Sequence, residues 1–330
     1  MFTVISTFSG CGGSSLGYKL AGGKVLLAVE WDDNAVKTYK LNFPETNIYH
    51  GDISNLSVEN ILLKTNLKPK ELDILDGSPP CQGFSTAGKR NFNDSRNQLF
   101  KEYCRLLKGL QPKIFVMENV SGMVKGSMKI IFTEILKELK SCGYNVKAAL
   151  LNAKNYNVPQ SRERMIFIGI RKDLELLPTH PLGTNKIITV KEAFKDLKEY
   201  EDRPMKDWLK QAIKHYPKPF CGSKEVGKIF KKFKKTTGSS IGTILLDWNR
   251  PSCTIPKSEI SITGLIHPNR HRYLNLSELK RLSGYPDNFQ FIDRISGNER
   301  IGNSVPPPLM KAIANHIKIN FIEKINGTSN

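Results

Sequence analysis

The sequence lacks the features of membrane, secreted and zinc-stapled proteins. No apolar run approaches the roughly 20 residues that a membrane-spanning helix needs. The first five residues, MFTVI, show neither the basic start nor the cleavage site of a signal peptide. None of the six cysteines follows Cys-x-x-Cys spacing, and His267 and His271 have no cysteine pair beside them, which favours a turn with solvent-facing imidazoles. We therefore expect a cytoplasmic protein without a metal ion.

Acidic residues are scarce relative to basic ones. The chain has 31 Asp and Glu against 50 Lys and Arg, a net charge of +19, which indicates a polyanionic partner such as nucleic acid or an anionic membrane surface. A membrane-surface protein would need an amphipathic lysine-rich helix, and residues 224–235 match that only faintly. Residues 203–235 contain eleven Lys and Arg against two acidic residues, 11 − 2 = +9, interleaved with five aromatic residues. Because this stretch has no clear period, we expect a loop-rich second domain there.

The first 170 residues alternate short apolar stretches with helical periodicity. We predict strands at residues 3–8, 24–30, 72–76, 113–118, 145–151 and 165–170, and helices at 14–21, 33–42, 98–108, 128–141 and, near the end, 306–324. This alternation is typical of an α/β fold with a mostly parallel sheet covered on both faces. A length of 330 residues suits one large and one small domain, which we place at 1–171 with 303–330 and at 172–302.

A glycine-rich turn follows the first strand. The sequence Phe8-Ser9-Gly10-Cys11-Gly12-Gly13 allows close backbone approach to a ligand, and a helix start follows it. Glu30 ends the second strand 20 residues after Gly10, where dinucleotide-binding folds bond a ribose hydroxyl. Asp52 is a candidate for an adenine amino group, and Trp31 for an adenine face. The third glycine of Gly-x-Gly-x-x-Gly is missing, so a pyrophosphate is disfavoured, and a turn without a ligand remains the alternative.

Three segments next to predicted strands carry polar residues suited to covalent chemistry. Cys81 follows two prolines that fix the backbone, which is unlike a small core cysteine. Glu118 ends the strand KIFVME, where a buried carboxylate is costly without a function or a partner. Arg162 and Arg164, two residues apart on an extended segment, are positioned to orient Glu118 or to bind a phosphate. The alternatives are a structural glutamate and a solvated charge cluster.

Together these residues resemble the cytosine-5 DNA methyltransferase family, and most closely its bacterial restriction-modification members. The blocks are, in order, FSGCGG, GDI, PPCQGFS, ENV, QSRER, RPSCT at residues 250–254 and GNSVP at residues 302–306. Each block is weak alone, but all of them in the family's order across almost the whole chain are highly specific. The resemblance implies a Rossmann-like S-adenosylmethionine-dependent catalytic domain with a smaller target-recognition domain.

The resemblance implies roles for matching positions. Cys81 is expected to be the nucleophile, Glu118 to bond ring nitrogen 3 of cytosine, and Arg162 and Arg164 to position the active site. Arg162 is also our candidate for lowering the pKa of the thiol. The positions expected to hold S-adenosylmethionine, with S-adenosylhomocysteine as product, are Phe8, Gly10, Cys11, Gly12, Gly13, Glu30, Trp31, Asp52, Ile53, Pro80 and Leu99, completed by Asn303, Ser304 and Val305.

The implied partner is double-stranded DNA with a flipped-out cytosine. The segment 82–96 resembles the family's mobile loop, and 172–247 occupies the place of the target-recognition region. Candidate DNA-binding residues are Gln82, Ser85, Arg96, Arg203, Asn249, Arg250, Thr254, Lys257 and Arg270. We expect a monomer in the bacterial cytosol, with a restriction endonuclease as a separate partner.

Three rival functions explain fewer of the residues. An RNA cytosine methyltransferase of the tRNA-modifying branch characteristically has a Cys-Phe-Thr block, which this sequence lacks. A nicotinamide-dependent oxidoreductase explains the glycine turn and Glu30 but leaves Cys81, Glu118 and the GNSVP block without a purpose. A DNA-binding module without activity would tolerate loss of Cys81 or Glu118, and both are present.

Overall fold

The computed structural model describes residues 1–80, 95–124, 128–220, 223–234, 243–258 and 263–327. Its chain forms two compact units. The first comprises Met1–Asn152, Glu163–Gly183 and Pro307–Asn330, and the second Ala153–Arg162 and Thr184–Pro306. The predicted boundaries differ because residues 153–162 join the second unit through main-chain bonds, from Ser161 N to Ser252 O at 2.7 Å and from Ser252 N to Pro159 O at 2.9 Å.

The first unit is built on a seven-stranded sheet. Its strands are β1 (Phe2–Thr7), β2 (Gly23–Glu30), β3 (Asn47–His50), β4 (Ile74–Gly77), β5 (Ile114–Val120), β6 (Tyr144–Asn152) and β7 (Glu163–Arg171). The order across the sheet is β3-β2-β1-β4-β5-β7-β6, and pairs are parallel from β3 to β5. Strand β7 pairs antiparallel with both of its neighbours, so it alone reverses direction in this sheet. The predicted mostly parallel α/β fold is therefore confirmed.

Helices cover this sheet. They are α1 (Gly13–Leu20), α2 (Asp33–Asn42), α3 (Val58–Thr65), α4 (Ser95–Leu110), α5 (Met128–Ser141) and α11 (Pro307–Ile317), followed by a π-helical turn Lys318–Ile322 and α12 (Glu323–Gly327). Helix α1 begins and ends close to its predicted bounds, and α2 and α5 have the predicted bounds. Side chains at helical spacing on α4 and α5, including Leu107, Ile135 and Leu139, are fully buried with Phe115 of β5. Burial of that apolar stripe is what fixes these helices on the sheet.

The second unit contains more regular structure than the sequence suggested. Its elements are α6 (Val190–Ala193), α7 (Asp207–Lys214), α8 (Ser223–Lys234), β8 (Thr243–Leu245), β9 (Gly264–Ile266), α9 (Leu276–Leu282) and α10 (Arg294–Asn303). Helices α7 and α8 lie within the basic stretch 203–235, for which no regular period was expected. Leu209, Ala212 and Ile213 of α7 pack against Val226 and Phe230 of α8 in one core cluster. Burial of these side chains fixes both helices despite the intervening lysines.

Two histidines of this unit also differ from expectation. His267 is buried and stacks on the Phe194 ring at 5.8 Å, whereas His271 is half exposed. Burial, followed by the positive charge of Arg272, lowers the pKa of His267 to about 3. His267 is thus a neutral core side chain and not the solvent-facing imidazole that its sequence neighbours suggested. Within the described ranges, no helix has the length and apolar character needed to cross a bilayer.

Candidate active site

The glycine-rich turn lies between β1 and α1, at the carboxyl edge of the parallel strands. Phe8, Gly10 and Gly12 have positive φ angles of 53°, 54° and 95°. A Cβ added at Gly12 would meet the Phe43 ring at 2.3 Å, whereas one at Gly10 would meet nothing within 4 Å. Gly12 is therefore required by packing as well as by conformation, and Gly10 leaves open space beside the backbone. That space is what close approach of a ligand to the turn requires.

Glu30 joins this turn to the end of β2. Its Oε2 accepts a bond from Gly10 N at 2.7 Å, and its Oε1 accepts bonds from Trp31 N at 2.9 Å and Asp32 N at 3.0 Å. Since a carboxylate offers about four acceptor positions, these bonds leave room for one further donor such as a sugar hydroxyl. Glu30 consequently shapes the turn itself, in addition to the ribose role expected of it.

The other predicted cofactor residues of the first unit differ in their exposure. The Trp31 side chain is 76% exposed, so its indole face is open to a ligand. Asp52 is exposed, and hydrogen bonds from Ser54 hold the pKa of its carboxyl below the usual value of 3.8. The remaining positions lie as follows: Cys11, Gly13 and Ile53 are buried, Leu99 is half-buried and Pro80 is exposed. Asn303, Ser304 and Val305 belong to the second unit, and their part in the pocket stays a prediction.

The segment that leads to Cys81 is fixed by its neighbour strand. Cys81 itself, with Gln82 and Ser85, lies outside the described residues, as does the side chain of Arg96. Asn119, at the end of β5, donates from Nδ2 to the Pro79 carbonyl at 3.1 Å. This bond ties the backbone just before Cys81 to the strand that carries Glu118. The sequence quoted Asn119 within the ENV block, but its anchoring role required the structure.

Glu118 and Arg164 form a buried ion pair. Arg164 Nε lies 2.7 Å from Glu118 Oε1, and the two side chains are 12% and 9% exposed. Antiparallel pairing of β5 with β7 places Arg164 opposite Val120, so it reaches Glu118 diagonally on the same face. The prediction that one of the two arginines orients Glu118 thus fits this contact. Arg162, in the second unit, is buried and donates from Nη2 to the Gly302 carbonyl at 2.7 Å.

Asp76 is a further acidic group of the first unit, which the sequence did not single out. Asp76 of β4 is completely enclosed and accepts bonds from Ser6 Oγ at 3.0 Å and Tyr18 Oη at 3.1 Å. Burial raises its pKa from 3.8 to about 7, the bonds from Ser6 and Tyr18 oppose this, and the charge of Glu118 adds to it. An acidic residue inside a strand as apolar as Ile74–Gly77 was the available signal. Asp76 thus links β4 to β1 and α1 and interacts electrostatically with Glu118.

The predicted DNA-binding residues of the second unit fall into two groups. Arg203 donates to the Thr263 carbonyl at 2.7 Å with its guanidinium 4.0 Å from the Tyr273 ring centroid, and Arg270 donates to the Tyr216 carbonyl at 2.8 Å. Both arginines thus make structural contacts within the second unit. The other four, Asn249, Arg250, Thr254 and Lys257, are exposed. Their exposure agrees with contact to an external partner but does not by itself assign base reading.

A mostly parallel sheet with a glycine turn after its first strand and an acid at the end of the next strand is typical of nucleotide-cofactor-binding α/β proteins. Residues 2–319 match the family of C-5 cytosine-specific DNA methylases. The chain is 33% identical over 96% of its length to the Type II methyltransferase M.NgoPII of Neisseria gonorrhoeae, covering 95% of that protein. It is 35% identical over 94% of its length to M1.HphI of Haemophilus parahaemolyticus, covering 85%.

A solved structure is also similar. A DNA modification methyltransferase encoded within a prophage of E. coli matches with a TM-score of 0.75 and 28% identity over 98% of this chain and all of that one. The chain therefore belongs to the C-5 cytosine-specific DNA methylase family, and it is a cytosine-5 DNA methyltransferase. S-adenosylmethionine is the methyl donor that this family uses, and DNA is the substrate that the family description names.

Proposed function

We propose that this chain methylates carbon 5 of a flipped-out cytosine through a transient bond between Cys81 Sγ and carbon 6 of the base. The observation that carries the proposal is the buried ion pair between Glu118 of β5 and Arg164 of β7. Asn119, the neighbour of Glu118 on β5, also bonds the Pro79 carbonyl in the segment that leads to Cys81. In this proposal Glu118 supplies the acid and Cys81 the nucleophile that the reaction needs.

The electron flow explains why both groups are needed. The thiolate adds to carbon 6, the ring loses its aromaticity, and electron density moves toward nitrogen 3 and carbon 5. Glu118, held by Arg164, stabilises the change at nitrogen 3 by hydrogen bonding or proton donation. Carbon 5 then accepts the methyl group as the methyl–sulfonium bond breaks, which leaves S-adenosylhomocysteine. A base such as water takes the carbon-5 proton, Cys81 Sγ is expelled as the 5,6 double bond re-forms, and any proton on nitrogen 3 returns to Glu118. The thiolate is regenerated, so the enzyme can turn over.

The residues at the glycine turn fit the methyl donor. When bound, S-adenosylmethionine supplies an electrophilic methyl group on a sulfonium sulfur. The open backbone at Gly10 allows close approach, Glu30 retains an acceptor position, and Trp31 exposes a flat face of adenine size. Asp52 is an exposed anion suited to an amino group. Completion of this pocket by Asn303, Ser304 and Val305 is part of the proposal.

The second unit supplies the DNA-binding surface in this proposal. Lys228, Lys231 and Lys232 of α8 are exposed, and their spacing of three and four residues places them on one helix face. Val226 and Phe230 are buried on the other face of the same helix. A lysine stripe backed by an apolar anchor provides salt-sensitive affinity for phosphates without base specificity. Readers of the target sequence are then to be sought among the exposed Asn249, Arg250, Thr254 and Lys257.

The biological setting follows from the relatives. Because its most similar relatives include Type II methyltransferases, we propose that the chain protects bacterial DNA against a separately acting restriction endonuclease of the same specificity. It would act as a monomer in the bacterial cytosol, where the DNA is. The test is cleavage by candidate endonucleases of DNA from cells with and without the active enzyme. Protection of one recognition sequence supports this setting, and equal cleavage of all sites contradicts it.

Trapping the covalent adduct tests the chemistry. Fluorine at carbon 5 cannot leave as a proton does, so DNA containing 5-fluorocytosine should hold the enzyme after methyl transfer. We expect wild type to form a complex that survives denaturing electrophoresis when S-adenosylmethionine is present. Cys81→Ser should form none while still binding the methyl donor. A denaturant-stable complex with Cys81→Ser, or none with active wild type, contradicts the assignment of Cys81.

A further inference from the structure

Three side chains of metal-ligating types meet where the middle of α4 lies beside the C-terminal end of α5, in the first unit. Cys104 lies on α4, Glu138 lies on α5, and Cys142 directly follows α5. The two Sγ atoms and a carboxylate oxygen of Glu138 all lie within 4.8 Å of one another. None of these residues belongs to the cofactor turn or to the segment around Cys81.

The local backbone explains why the three groups converge. Cys142 N donates to the Glu138 carbonyl at 3.2 Å, which continues the α-helical pattern by one residue. Glu138 and Cys142 are therefore one turn apart on a single face, the arrangement by which helices present two ligands to one ion. Cys104 is 3% exposed in the core cluster, and its thiol supplies a third ligand from the facing helix. Two secondary-structure elements thus fix the ligands independently of any ion.

We propose that Cys104, Glu138 and Cys142 form a binding site for a thiophilic divalent cation such as Zn²⁺ or Cd²⁺. Two thiolates and one carboxylate match the donor preference of these ions, and a water molecule completes four-coordination. Tetrahedral bonds of about 2.3 Å to sulfur place ligand atoms about 3.8 Å apart, so rotamer adjustments of about 1 Å suffice. The site pins α4 to the end of α5, which is a structural role.

The Lys108 ammonium lies beside the proposed site and pairs with one of its ligands. Its Nζ lies 2.9 Å from Glu138 Oε1, and the two side chains are 51% and 44% exposed. Because exposed ion pairs are weak, the ammonium group can swing into solvent when a divalent ion binds. The same exposure gives the ion a path from solvent to the buried sulfur of Cys104. Lys108 thus competes with the metal and provides a test of the proposal.

The experiment titrates the full-length reduced protein with Co²⁺ and Cd²⁺ and follows the sulfur-to-metal charge-transfer band. We expect one ion per wild-type chain and an increase in unfolding temperature, since the ion binds the folded state. Cys104→Ser and Cys142→Ser should lose the band, and Glu138→Gln should weaken binding at least about tenfold. Lys108→Met should tighten binding about two- to fivefold, the value of an exposed ion pair.

Cys81→Ser and Cys253→Ser are the matched controls, each with one thiol removed elsewhere, and both should keep the band. Methyl-donor binding by each variant verifies folding, and Glu138→Gln and Lys108→Met alter exposed groups that folding does not require. A band that persists in both Cys104→Ser and Cys142→Ser overturns the proposal, as does the absence of a band in wild type. A disulfide between the two sulfurs, with no metal binding after its reduction, also overturns it.

Discussion

At the scale of single residues, the Glu118–Arg164 contact is the part of the site whose role is easiest to isolate. We expect Arg164→Met to lower the methylation rate constant by about 10²-fold, because Glu118 loses the donor that orients it. The affinity for S-adenosylmethionine should change little, since Glu30 and the glycine turn remain. Rate constants from single-turnover assays and donor binding by calorimetry separate the two effects.

Arg171 offers the matched control for that variant. It lies on the same strand, and its Nε pairs with Asp173 at 2.7 Å, far from Glu118 in the sheet register. Arg171→Met should keep the rate constant within a few-fold of wild type. Equal losses in Arg164→Met and Arg171→Met would show that the pair with Glu118 has a general structural role only.

Asp76 predicts a distinctive dependence of stability on pH. Its folded pKa of about 7 exceeds the ordinary 3.8, so its folded form retains a proton that the unfolded chain releases. Its contribution to stability is complete below about pH 4 and is lost as pH rises through 7. Asp76→Asn removes this loss, so its stability relative to wild type should increase by about 2–3 kcal/mol from pH 5 to pH 8.

Chemical denaturation at several pH values measures this difference. Asp73→Asn is the matched control. Asp73 directly precedes β4, and its Oδ1 accepts a hydrogen bond from the Lys113 ammonium at 2.8 Å. Asp73→Asn should lose stability throughout that pH range. A constant difference between Asp76→Asn and wild type across the range would mean that Asp76 does not titrate there.

At the scale of secondary-structure elements, two glycines of the turn between β1 and α1 have different roles: Gly12 is needed for packing, and Gly10 leaves space for a ligand. Gly12→Ala should destabilise the protein by more than the roughly 1–2 kcal/mol of an unfavourable φ, because its Cβ also meets the Phe43 ring. Gly10→Ala should cost only the conformational term. Thermal unfolding checks this order, and equal destabilisation by the two variants would contradict it.

Some helices and strands could be predicted from the sequence, and others could not. Helix α5 was predictable because Ile131, Ile135 and Leu139 form one buried stripe at helical spacing. Helix α2 was likewise predicted with the bounds that the structure shows, Asp33–Asn42. Helix α8 was not, because lysines outnumber Val226 and Phe230 and conceal their spacing. The reversed direction of β7 also escaped prediction, since apolar alternation gives a strand but not its orientation.

The candidate site was predictable to a similar degree. The motif blocks pointed to Cys81 and Glu118, and the spacing after Gly10 pointed to Glu30, because the chemistry and order of these residues are visible in the sequence. Their partners were predictable only in part: Arg164 was one of two arginines proposed to orient Glu118, and strand register decides between them. The bond from Asn119 to Pro79 and the Asp76 network also depend on strand register and were not predicted. The meeting of Cys104 with Cys142 likewise depends on how α4 packs against α5 and not on local spacing.

At the scale of the whole molecule, the net charge of +19 predicts salt-sensitive DNA binding. Replacing Lys228, Lys231 and Lys232 of α8 by Gln should weaken binding and reduce the slope of log affinity against log salt by about 2 to 3. Replacing Lys37, Lys40 and Lys64, exposed lysines of the first unit, removes the same charge and should leave the slope nearly unchanged. Equal slopes for the two triple variants would exclude α8 from the DNA contact.

The most direct test of the central claim is transfer of tritiated methyl from S-adenosylmethionine to unmethylated bacterial DNA, with Cys81→Ser and an RNA substrate in parallel. We predict label in DNA, recovered as 5-methylcytosine, with wild type and none with Cys81→Ser. No label in DNA from folded, donor-binding wild type, or label in RNA instead, would contradict a cytosine-5 DNA methyltransferase that uses Cys81.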